Sequence, residues 1–147
     1  MKKCVTLPVI LFVATVATVS LFACMMNVNS FVDTSQEGVA GAVLVWALLF
    51  FLHFAWPVAS VVFVAFAIAL LRTQTAKKQY GLELALLIVS SVLLPVAAFS
   101  AVLAFGVALY SKILMTLTLA ACLGYVAVLA STVVCLVKTK RRLNSST

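Results

Sequence analysis

Few side chains in this 147-residue sequence could do chemistry, and they are scattered. His53 is the only histidine. It stands in the apolar run LFFLHFAWP, with Phe50 and Pro57 on the same helical face. An ionisable group at such a place is a candidate for handling a proton or a ligand. A neutral imidazole needs only a hydrogen-bond partner; Ser100 falls at a similar depth when residues are counted from the inner ends, Tyr125 lies midway along its run, and either could serve. One histidine cannot supply paired axial haem ligands, and Cys122 does not change that.

The cysteines are Cys4, Cys24, Cys122 and Cys135. Their spacing is far from the close pairs that hold zinc, and it makes no disulfide framework. Cys4 and Cys135 border apolar runs and are candidates for reversible lipidation. Glu83 falls at the start of another apolar run, where a helix amino end favours a negative charge and Lys77 or Lys78 could pair with it. No nucleophile–base pair, phosphate-binding glycine loop or pair of carboxylates is present. The expectation is a protein without catalytic, cofactor-binding or metal-binding residues, hence no enzyme.

The elements that would carry these residues follow from composition. Hydrophobic residues make up 66% of the chain and charged residues 9%. Soluble domains run near 45–50% and about 25%. A globule of this size could not hide so much apolar surface from water. The solvent that fits is a bilayer, where a helix needs about 20 apolar residues to cross. Four such runs occur, at about residues 5–26, 39–71, 82–109 and 113–137, followed by a basic tail at 138–147. Lipid offers backbone groups no partners, so each run must be helical. Four single strands could not close a barrel. Trp46, Tyr80 and Tyr110 fall near run ends, where aromatic side chains suit the headgroup region.

The connections are short, so no second domain fits between them. An all-α, polytopic four-transmembrane-helix bundle of up-down-up-down order is expected as a single membrane domain. The net charge of +7 does not describe a nucleic-acid surface, because the cations flank the apolar runs. Lys2, Lys3, Arg72, Lys77, Lys78, Lys138, Lys140, Arg141 and Arg142 fall on one side, and Lys112 alone on the other. By the positive-inside rule, both termini face the cytoplasm. The loop NVNSFVDTSQEG, with Asp33 and Glu37, then faces outward.

A second reading of the first run is a signal segment. The stretch LFAC, ending at Cys24, loosely resembles a bacterial lipoprotein cleavage box, although Phe22 fits it poorly. Processing there would leave three spans. Overall size and topology resemble the broad class of small tetraspan proteins. The outer-loop pattern of Trp and paired Cys that claudins carry is missing from NVNSFVDTSQEG.

Small residues let membrane helices approach closely. Thr116, Ala120, Gly124, Ala127 and Ser131 fall within an arc of roughly 80° on the fourth helix. Ser100, Ala104 and Ala108 make a shorter stripe on the third. These two helices, joined by a three-residue turn, are the expected tight pair. Pro57 and Pro95 should kink their helices at matching depth, since proline removes a backbone donor and clashes with the preceding turn. The expected function is that of a small multi-pass scaffold or accessory subunit, working through helix–helix and lipid contacts with a membrane-protein partner. The alternatives are a homo-oligomeric channel, pore-former or transporter, and a lipoprotein processed at Cys24.

Overall fold

The computed structural model describes residues 6–26, 39–108 and 112–145, all but four of them helical. Four helices follow in order: α1 (Thr6–Met26), α2 (Val39–Arg72), α3 (Ala76–Ala108) and α4 (Lys112–Asn144). Each is long and apolar enough to cross a membrane. Consecutive helices pack together, and α4 returns to pack against α1, which closes the bundle.

The helices overrun the apolar spans where nothing breaks them. Thr75 stands just ahead of α3, and its carbonyl accepts the amide of Gln79 at 3.0 Å, so α3 begins at Ala76 rather than near Leu82. At the far end α4 runs through the basic tail to Asn144. Lys and Arg are good helix formers, and Arg141 and Arg142 in the last turn suit the negative end of the helix dipole. Pro57 and Pro95 both lie inside unbroken helices. Lacking amide hydrogens, they leave the carbonyls of His53 and Ser91 without their usual helical donors.

One rule describes what the bundle buries. On α1 the seam is Leu7, Leu11, Ala14, Thr18 and Leu21. On α2 it is Trp56, Ser60, Phe63, Ala67 and Leu70. On α3 it includes Glu83, Leu86, Ser90, Ala97 and Ser100. On α4 it runs from Leu114 through Thr118, Ala121, Tyr125, Val128, Thr132 and Cys135 to Thr139. The steps alternate between three and four residues, or sum to them. That is the repeat of helices crossing at a shallow angle of about 20°. The outward faces carry large apolar residues such as Phe12, Val61, Val92, Val102 and Leu123. The inside is therefore more hydroxyl-rich than the outside. In lipid this follows from physics: apolar bulk gains nothing by burial, whereas close packing and internal hydrogen bonds do.

Candidate functional site

The interior of the bundle holds buried hydroxyls from all four helices, spread along its length. Each hydroxyl is placed by the helix that carries it, because a Ser or Thr can donate to the carbonyl one turn earlier. Thr15 donates to Leu11 at 2.7 Å, Ser60 to Trp56 at 2.8 Å, Thr118 to Leu114 at 2.8 Å and Thr132 to Val128 at 2.6 Å. Such bonds let a hydroxyl sit in an apolar interior without orphaning its proton.

Two contacts tie neighbouring helices together through these groups. Thr18 Oγ1 and Ser60 Oγ lie 2.5 Å apart and join α1 to α2. Thr18 also reaches the carbonyl of Thr15 at 2.9 Å. Three contacts are thus shared between two hydroxyl protons, and at any instant only two of them carry one. On the other side Tyr125 Oη donates to the carbonyl of Ser90 at 2.5 Å, joining α4 to α3 just before the proline turn at Pro95. The Tyr125 ring packs on Phe63 of α2, with centroids 5.7 Å apart and planes tilted by 54°. Tyr125 therefore touches two helices besides its own.

At Gly124 the backbone of α4 comes close to that of α1. A side-chain carbon built on Gly124 would stand 3.3 Å from Ala14 Cα. Gly124, a member of the small-residue stripe, thus meets α1, while α3 and α4 also pack against each other. Among the described residues, three buried polar atoms have no partner: Trp56 Nε1, Glu83 Oε2 and Ser90 Oγ. Beside Trp56 lies a half-open cleft of about 190 Å³ between α3 and α4, lined by Leu94, Ala97, Ala101, Cys122 and Tyr125. Its walls are apolar.

The residues singled out from the sequence separate into groups. Thr116, Ala120 and Ala127 are exposed, and Gly124 and Ser131 are half-buried. Their stripe is centred roughly 110° around the helix from the buried seam, at 100° per residue. Ser100 is buried and donates to Val96 at 2.7 Å, while Tyr125 donates to Ser90, so the hydroxyl proton of each is held by a backbone carbonyl. Cys135 is 2% exposed and packs among Leu7, Leu11, Leu70 and Leu86, out of reach of an acyl donor while the bundle is closed. Cys24 is half-buried near the end of α1. Cys4 and the side chains of His53, Ala104 and Ala108 lie outside the described residues.

No family model, curated protein or solved structure matches the chain. Its chemistry has to be read from its own residues.

Glu83 differs most from its expected role. It is the eighth residue of α3, fully buried, because the helix starts six residues before Leu82. Its Oε1 accepts from Gln79 Nε2 at 2.8 Å, while Lys77 and Lys78 are exposed. It is a seam residue, not a first-turn cap. A buried Glu on the repeat of Leu86 and Ser90 was discoverable from the sequence, because 83, 86, 90, 97 and 100 fit one 3.5-residue period.

Proposed function

We propose that this chain, whose four apolar helices are compatible with a small membrane protein, catalyses nothing itself and works as a scaffold or accessory subunit, associating side by side with another membrane protein. One observation carries this reading. The bundle closes on one face of α4, and a second face, with Thr116, Ala120 and Ala127, is left exposed beside Gly124. A helix flank meeting only lipid has no need of small side chains, whereas a flank meeting another helix does. The hydroxyls there are already satisfied, with Thr116 donating to Lys112 at 2.9 Å and Ser131 to Ala127 at 2.6 Å. A second helix can therefore pack on them without stranding a polar group.

A conducting path would have to form between copies. Trp56, Phe63 and Tyr125 are buried inside the single bundle, and the hydroxyls of Thr18 and Ser60 bond to backbone and to each other. Processing at Cys24 would remove Leu7, Leu11, Ala14, Thr18 and Leu21 from the packed interior. Affinity purification from the native membrane after crosslinking tests the proposal. A defined second protein, lost on Ala120→Leu, is the expected result. A homo-oligomer that makes vesicles leak would replace the scaffold reading with the pore.

A further inference from the structure

Away from the α4 flank, α1 and α2 enclose an outward-facing groove of about 430 Å³. Its walls are Pro8, Val9 and Phe12 on one side and Val64, Ile68 and Leu71 on the other, with Ala67 as its floor. The lining is almost wholly apolar. It extends along α2 for roughly 10 Å at 1.5 Å per residue, which suits the upper part of an acyl chain.

The groove ends at a charge. Val64, Ile68 and Arg72 are spaced by four, so Arg72 stands on the groove's own face of α2, one turn beyond Ile68. Arg72 is exposed. Two helix ends also meet there. The amino end of α1, at Thr6, favours an anion, while the carbonyl end of α2 opposes one. These dipole ends oppose each other, and the guanidinium adds a positive charge on the groove's own face of α2. Planar and doubly donating, it suits a phosphate oxygen pair.

We propose that this groove binds an anionic phospholipid of the adjoining leaflet, with one acyl chain between α1 and α2 and the phosphate on Arg72. Basic mouths on apolar grooves between membrane helices recognise such headgroups. The inference rests on the chain being a membrane protein, and it is independent of the α4 flank.

The test is lipid retention by the full-length protein, extracted from bilayers of equal parts phosphatidylcholine and phosphatidylglycerol with identical acyl chains. Retained lipids are identified by native mass spectrometry. Wild type should keep phosphatidylglycerol preferentially. Arg72→Gln should reduce that preference roughly fivefold, the scale of one surface cation. Ile68→Trp, at an outward position, should displace both lipids while the protein still runs as a folded species. Equal retention of the two headgroups by wild type, or an unchanged preference in Arg72→Gln, would overturn the proposal. So would an acyl group covalently attached to Cys4 with no phospholipid retained. Extraction of the chain from bilayers by alkaline carbonate would instead overturn the membrane reading beneath it.

Discussion

The two faces of α4 differ in what they can afford to be. The buried face alternates hydroxyl, small and aromatic residues from Thr118 through Ala121 and Tyr125 to Thr132, and it is held by bonds to its own and a neighbouring backbone. The flank from Thr116 to Ser131 is as small and nearly as hydroxyl-rich, yet most of it lies outside the bundle. Small size therefore does not determine which face of a membrane helix turns inward. The difference lies in Tyr125. It reaches two other helices, through Ser90 and Phe63, and these contacts hold that face of α4 inward.

Substitutions along this boundary sharpen the contrast. The largest effect is expected at Gly124, where the two faces meet. Gly124→Leu would drive a branched side chain into the α1 backbone at Ala14. Overpacking at such a contact costs about 1–3 kcal/mol and occasionally more. Denaturation in mixed micelles should show α1 released from α4, and a wild-type midpoint would refute the close approach.

Next comes Phe63→Ala, which removes the ring under Tyr125. In a soluble core this would cost about 3–5 kcal/mol. In lipid the apolar transfer contribution is small, which leaves the lost packing, on the order of 2 kcal/mol. The same unfolding titration checks it. Tyr125→Phe keeps the ring and deletes only the bond to Ser90, so a loss of about 1 kcal/mol is expected. A loss as large as that of Phe63→Ala would mean that the hydroxyl, not the ring, sets the rotation of α4.

The smallest effect on stability belongs to the flank. Ala120→Leu should leave the unfolding midpoint within about 0.5 kcal/mol of wild type. Its consequence should appear in association, as a several-fold drop in crosslinked hetero-complex. A strongly destabilised Ala120→Leu would erase the distinction between the two faces.

The sequence made part of this arrangement legible. Four helices followed from four apolar runs, because lipid leaves the backbone no alternative. Their ends followed less well. Apolar counting stops at the first charges, but a helix stops only where its hydrogen bonds do, as at Thr75 and Asn144. The direction each helix faces was hidden for a different reason. Both faces are apolar, so hydrophobic contrast, the usual guide in water, is absent. On α4 the stripes 116–131 and 118–132 both carry small and hydroxyl residues, and the contacts made in the folded bundle, those of Tyr125 among them, separate them. Regular 3.5-residue spacing of Ser, Thr and Ala across all four helices was the readable signal. Glu83 obeys that spacing, which explains its burial where a cap was expected.

We propose that α4, which turns one face into its own bundle, offers the neighbouring flank to a partner. A small diazirine-bearing residue at position 120 or at position 121, photolysed in the native membrane, tests it most directly. Position 120 should capture another polypeptide, and position 121 should give only crosslinks within the chain. Capture of another polypeptide from position 121, or only internal crosslinks from position 120, would contradict the account.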